Sequence, residues 1–344
     1  MTITSREMWE AQEHRVLSAR ASFADASRGR EVATRPDAFR TDFQRDRDRI
    51  LHCKAFRRLS HKTQVFLAPE GDHYRTRLTH TLEVSQIARS VARALALNED
   101  LTEAVALGHD LGHTPFGHTG EQALDEALAE VAGVYEGAPV SYEHNRQSLR
   151  IVECLEYGGK GLNLTWEVRD GILGHTGEHV PATLEGQIVR IADRIAYVNH
   201  DIDDALRAGV LHEAQLPSAP LEVLGARGNE RITTMVSDLI ATSEDGDRIA
   251  MSPPIWQAMM ELRSFLFDNV YLSVRAKAEE PKARRVVRML FAHFIDHPEE
   301  LPEEHRPHTD SELVQRVVDY VAGMTDRYAI REFERLFVPR KWMV

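Results

Sequence analysis

Apolar residues in this sequence recur with the period of a helix and hardly anywhere with the period of a strand. Val84, Ile87, Ala88, Val91 and Leu95 mark one helical face, and Asn98 to Asp100 break the run. Asp100 stands three residues before Glu103. This N-cap and N3 pair predicts a new helix from Leu101, with Leu101, Ala104, Val105 and Gly108 on its buried side. The same reasoning predicts helices over 120–131, 145–155, 166–173, 184–207, 231–241, 254–277, 281–296 and 311–337. Loops are expected over 133–141, 157–164, 216–229 and 296–309. No internal repeat and no clear linker divides the chain, so the expectation is one all-α unit over 1–344.

Acidic residues outnumber basic ones by 54 to 42, a net charge of −12. Nucleic-acid binding rests on neutralising phosphates, so that partner is not expected. No apolar run approaches the roughly 20 residues that cross a bilayer. Residues 1–24 offer no signal-peptide core, and a cytoplasmic location without a membrane partner is the expectation. Cys53 and Cys154 are too few for a disulfide scaffold or a thiolate zinc site. Arg45 and Arg47 alternate with Asp42, Asp46 and Asp48, which reads as an exposed helix face.

The chain has 17 histidines, unevenly spread. The segment Leu107-Gly108-His109-Asp110-Leu111-Gly112-His113-Thr114-Pro115-Phe116-Gly117-His118 sets three of them beside an Asp at the polar end of an apolar helix. Imidazoles and a carboxylate suit a transition metal or Mg²⁺, but neighbours on one helix diverge by about 100°, so other helices must complete a site. His80 starts one amphipathic helix. In another, Ile188, Ile191, Ala192, Ile195 and Val198 form the buried side, while Asp193, Tyr197 and Asp201 stack at i, i+4 and i+8. Asp193 follows two apolar positions and is expected to be partly buried, where a carboxylate needs a partner or a metal.

The ordered set His80, His109-Asp110 and Asp193 resembles the His…His-Asp…Asp signature of the HD superfamily. Within it the chain closely resembles the deoxyguanosinetriphosphate triphosphohydrolase family, which includes other dNTP triphosphohydrolases. The likeness runs from about Arg15 to Asp201 and resumes over 319–328. Its most specific pieces are Arg40-Thr41-Asp42-Phe43-Gln44-Arg45-Asp46, Ala55-Phe56-Arg57-Arg58-Leu59, Lys62-Thr63-Gln64-Val65-Phe66, Arg77-Leu78-Thr79-His80 and the His109–His118 segment. The resemblance implies an HD-domain helical bundle with its core over about 60–210, and accessory C-terminal helices over about 230–344.

It further implies that His80, His109, Asp110 and Asp193 hold one divalent metal ion, Mg²⁺ or Mn²⁺ among the family's metals. His118 and Glu121 match a catalytic dyad, and His144 another histidine near the phosphates. Arg77 and Arg194 match phosphate contacts. Gln64 and Asp201 match residues that bind the sugar 3′-hydroxyl, and Tyr197 the residue that stacks on the sugar. The implied reaction takes a dNTP substrate to deoxynucleoside and tripolyphosphate. Homo-oligomers are common in the family, and some members need a nucleotide activator. Two alternatives remain. In a dinuclear HD phosphodiesterase, His144 and His175 would serve a second metal, and His113 is left without a role. A nucleotide-sensing regulator without catalysis would need none of the dyad, yet His118 and Glu121 are both present.

Overall fold

The computed structural model describes residues 5–64, 75–135, 137–271, 274–307 and 309–339. Val65 and Phe66 of the Lys-Thr-Gln segment lie outside the described residues. The fold is helical throughout. Among the described residues, β-type pairing is confined to two isolated bridges, Arg30 with Thr165 and Thr63 with Thr76. No described helix is long and apolar enough to cross a membrane.

The chain opens with α1 (Arg6–Val16), α2 (Asp42–His52) and the short α3 (Lys54–Arg58). Four helices then carry the centre of the molecule: α4 (Arg77–Ala94), α5 (Glu99–Gly108), α6 (His118–Val131) and α7 (His144–Arg150). Next come α8 (Trp166–Gly174) and the long α9 (Leu184–Arg207). The remainder comprises α10 (Ser218–Leu224), α11 (Gly228–Ser243), α12 (Pro253–Leu266), α13 (Val274–Asp296), α14 (Leu313–Ala322) and α15 (Asp326–Phe337). Side-chain caps fix several starts. Thr41 and Gln44 form a capping box on α2, Thr76 accepts the Thr79 N–H on α4, and Thr183 accepts the Gly186 N–H on α9.

The structure corrects several sequence expectations. The N-cap of α5 is Asn98, which accepts the Leu101 N–H, and not Asp100. Asp100 instead accepts hydrogen bonds from Gln44 at 2.8 Å and Arg47 at 3.1 Å, a tertiary demand that local spacing does not reveal. The expected loop over 216–229 contains α10. The expected helix over 254–277 ends at Leu266 and gives way to a π turn, Phe267–Tyr271. The helix expected from Pro281 begins earlier and carries that proline inside, because Val287, Leu290, Phe291 and Phe294 bury one side of it with α6. Finally, 311–337 is two helices, with Thr325 capping the second.

The expected solvated face of α2 also needs correcting. Asp46 is fully buried, pairs with Arg30 and accepts the Thr165 N–H at 2.7 Å. A buried carboxylate with those partners ties the N-terminal segment to the start of α8.

Buried side chains form two clusters. One joins α2, α4, α5, α8 and α9 through residues such as Ile50, Val84, Val105, Ile172, Ile188 and Ile195. The other joins α6 to α13, α14 and α15 through Leu124, Leu128, Phe294, Val317 and Ala329. The polar segment 109–118 runs from the end of α5, in the first cluster, to the start of α6, in the second.

Candidate metal centre and active site

The turn after α5 is held by backbone contacts at Gly112. Its N–H donates to Ser148 Oγ at 2.8 Å, and Ser148 donates to the His109 carbonyl at 2.7 Å. Tyr142 donates to the Gly112 carbonyl at 2.5 Å. A Cβ on Gly112 would collide with the His144 carbonyl and the Ser148 amide, so only glycine lets α7 approach this closely.

His109 leaves α5 aimed at the first turn of α4 and the middle of α9. His80 Nε2 lies 3.0 Å from Asp193 Oδ1 and 3.9 Å from Asp110 Oδ2. His109 Nε2 lies 3.3 Å from Asp110 Oδ1 and 3.7 Å from Asp193 Oδ1. Ligand atoms of His80, His109 and Asp110 fall within 4.8 Å of one another. His109 Nδ1 faces the Ala106 carbonyl at 2.6 Å and must donate to it. Its Nε2 therefore offers a lone pair, and this buried atom has no hydrogen-bond partner among the described residues. Burial pushes the Asp110 carboxyl up, but His109, His113 and Arg77 hold it well below the ordinary range. Asp193 is likewise held down, mainly by His80, against burial. Two imidazoles and two ionised carboxylates with an orphaned nitrogen among them fit a divalent cation.

A second row of histidines adjoins this cluster. His113 Nε2 is 3.2 Å from Asp110 Oδ1, and the His113 ring stacks on His144 with centroids 3.9 Å apart. His144 Nδ1 is 3.0 Å from Glu121 Oε1, and its Nε2 is 3.2 Å from His175 Nε2. His175 Nδ1 donates to the Ile172 carbonyl at 2.8 Å, so its Nε2 can only accept. His144 must then carry protons on both nitrogens. This agrees with the upward shift of His144, where Glu121 outweighs burial, and with His175 being pushed down to about 3 by burial and the neighbouring histidines. Glu121, held low by His118 and His144 despite burial, also meets His118 Nδ1 at 3.3 Å. The His118 side chain is 76% exposed.

Residues 77–198 match the HD domain family, and residues 249–335 match the phosphohydrolase-associated domain. A deoxyguanosinetriphosphate triphosphohydrolase-like protein from Caldanaerobacter subterraneus is 54% identical over 338 residues, covering 98% of this chain and 97% of that protein. Proteins of the same name from Clostridium perfringens and Desulfatibacillum aliphaticivorans are 48% and 47% identical, covering 97% and 98% of this chain and 98% and 99% of their own lengths. The chain belongs to the deoxyguanosinetriphosphate triphosphohydrolase-like family. As an HD-domain member of that family it is a metal-dependent phosphohydrolase.

In this triphosphohydrolase-like chain the expected residues are unequally gathered. Arg77 lies against the cluster, donating to Asp110 Oδ2 at 2.9 Å, while its buried Nε and Nη2 have no hydrogen-bond partner among the described residues. Gln64 has a buried Oε1 without a partner among the described residues. Asp201 is buried on α9 two turns after Asp193. Tyr197 sits between them, half-buried, its hydroxyl pushed up to about 12 by burial, with Arg263 of α12 acting in the opposite sense. Arg194 turns back to the Arg190 carbonyl on its own helix.

Sequence reasoning passed over Arg263, Lys62 and Asp326. Lys62 is buried, donates to the carbonyls of His113 and Ala322, and is pushed down to about 7 mainly by burial. The available signal was its place beside Thr63 and Gln64 in a segment already singled out.

Proposed function

We propose that the chain hydrolyses deoxynucleoside triphosphates to the deoxynucleoside and intact tripolyphosphate, with water attacking the α-phosphorus. The observation that carries this reading is the continuous run of ionisable side chains from the His80, His109, Asp110 and Asp193 cluster through Arg77 to Glu121, His144 and His118. A divalent ion, Mg²⁺ or Mn²⁺, held by those four residues would polarise a phosphate oxygen and acidify water. Arg77, anchored by Asp110 with two spare N–H directions, suits a polyanion. Cationic His144 adds positive charge beside it. His118, oriented by Glu121 and open to solvent, is suited to protonate the departing 5′-oxygen. Arg194 would swing from its own helix to meet the outer phosphates.

The bond that breaks can be read directly. Turnover in ¹⁸O-labelled water is expected to put the heavy oxygen in tripolyphosphate and none in the nucleoside 5′-hydroxyl, as seen by mass spectrometry. Orthophosphate or pyrophosphate as the first product overturns the reading.

Gln64, Tyr197 and Asp201 support selection of deoxyribose, since a tyrosine packed against the sugar leaves little room for a 2′-hydroxyl. Asp201→Ala is expected to slow dGTP turnover by roughly one to two orders of magnitude, the effect of losing a buried hydrogen bond of about 1–3 kcal/mol. Equal use of GTP and dGTP by the unaltered enzyme contradicts the assignment. The same residue has a stability signature. Burial pushes its carboxyl up to about 8, so the folded chain holds a proton that the unfolded chain, with an Asp near 3.9, has released. The contribution of Asp201 to the stability of the metal-free protein therefore declines as pH climbs from about 4 to about 8, and Asp201→Asn should remove that part of the decline in thermal melts.

One observation favours a second reading, a dinuclear phosphodiesterase: ligand atoms of Asp110, His113 and His144 also lie within 4.8 Å of one another. Against it, His144 is already engaged by Glu121 and protonated toward His175. Two tightly held ions per chain in metal analysis would favour it.

A further inference from the structure

The corner between α14 and α15 reaches back into the active site from far along the chain. Asp326, the first residue of α15, is 6% exposed, and both its carboxylate oxygens are engaged. Oδ1 accepts the Phe116 N–H at 2.9 Å. Oδ2 accepts the Thr63 N–H at 2.9 Å and the Thr63 hydroxyl as well. At the other side of the corner, the Ala322 carbonyl accepts Lys62 Nζ at 2.9 Å, and that ammonium also donates to the His113 carbonyl. The corner thus fastens the segment bearing Gln64 to the segment bearing His113 and His118.

The second segment needs such fastening. Phe116 and Gly117 have φ of +64° and +58°, two successive residues in the left-handed region. Phenylalanine carries a Cβ and adopts that region only where its surroundings impose it. This reversal aims His118, whose ring is too exposed for packing to hold it. Gly117 is seated on the first segment: a Cβ built on it would lie 3.6 Å from the Thr63 carbonyl and 3.1 Å from Arg77 Nη2. Glu121 orients the His118 ring at 3.3 Å, but the place of its backbone follows from how the reversal is bound to Thr63, and Asp326 binds both.

We propose that Asp326 is a positioning residue for hydrolysis, holding the Phe116–Gly117 reversal against Thr63 so that His118 stands over the substrate. This rests on the reading of His118 as the proton donor.

The test is Asp326→Asn, measured by single-turnover rate in the unaltered and His118→Ala backgrounds, together with amide exchange by mass spectrometry. An amide offers one acceptor oxygen where the carboxylate offers two and turns an N–H₂ toward a backbone N–H. The chemical step is expected to slow by about 10-fold or more, with exchange accelerated in peptides covering Phe116 and Thr63 and metal content unchanged. In the His118→Ala background the same substitution should cost less than about 2-fold, since residues acting through one another are not additive. Equal losses in both backgrounds, or unaltered exchange at Phe116, overturn the proposal. A normal rate for His118→Ala alone overturns the reading of His118 instead, and exchange at Phe116 then decides whether Asp326 holds the reversal. Should Asp326→Asn fold poorly, Thr63→Val removes only the hydroxyl partner and should give a smaller loss with the same dependence on His118.

Discussion

Replacing His109 or Asp193 with alanine is expected to remove both metal retention and turnover, while far-ultraviolet circular dichroism stays close to that of the unaltered protein. The two residues come from different helices but meet at one point, with His109 Nε2 3.7 Å from Asp193 Oδ1. Losing partners that merely orient a ligand typically costs 10–100-fold in metal affinity, so losing a ligand itself should exceed about 100-fold. Asp193→Ala also strips His80 of its closest partner, at 3.0 Å, whose presence raises the imidazole pKa against the pull of burial. The helices should survive, because α5 and α9 are held by apolar neighbours such as Val105, Ile188 and Ile195. Metal content after gel filtration, read with the circular dichroism spectrum, checks both halves of the expectation. Full retention of metal by Asp193→Ala would remove that residue from the ligand set.

Much of this arrangement was legible in the sequence, for physical reasons that differ from residue to residue. The partial burial of Asp193 was expected from the apolar Ile191 and Ala192 that precede it, and its place among the ligands came from the resemblance to the HD signature. The His109–His118 segment announced itself through density of ligand-type residues. What local pattern could not supply was the choice between equivalent groups. Asn98 and Asp100 are both good N-caps, and the decision fell to Gln44 and Arg47, which approach Asp100 from α2. The roles of His113 and His175 stayed open because ring direction depends on which backbone carbonyl or carboxylate takes one nitrogen. Asp326 lies 263 residues from Thr63, and no periodicity connects them. Pro281 misled because its punctuation is local, whereas the packing of α13 on α6 is tertiary.

His118→Ala is expected to slow the chemical step by about 10²–10⁴-fold, the usual scale for a positioned acid or base, and to leave dNTP binding nearly unchanged. Binding should survive because the anion-facing groups, Arg77 and cationic His144, do not depend on the His118 ring. The neighbouring carboxylate sharpens the test. Glu121 meets His118 at 3.3 Å and His144 at 3.0 Å, and it also accepts the His144 backbone N–H at 2.9 Å. Removing it should therefore disturb both rings, and Glu121→Ala should be at least as slow as His118→Ala and weaker in binding. Because its two histidines hold Glu121 well below the ordinary carboxylate range, it stays ionised across the working pH range. Glu121 itself then contributes no limb to a pH–rate profile near neutrality. Wild-type rates for His118→Ala across the whole pH range would remove His118 as the proton donor, with His144, facing His175 at 3.2 Å, the next group to test.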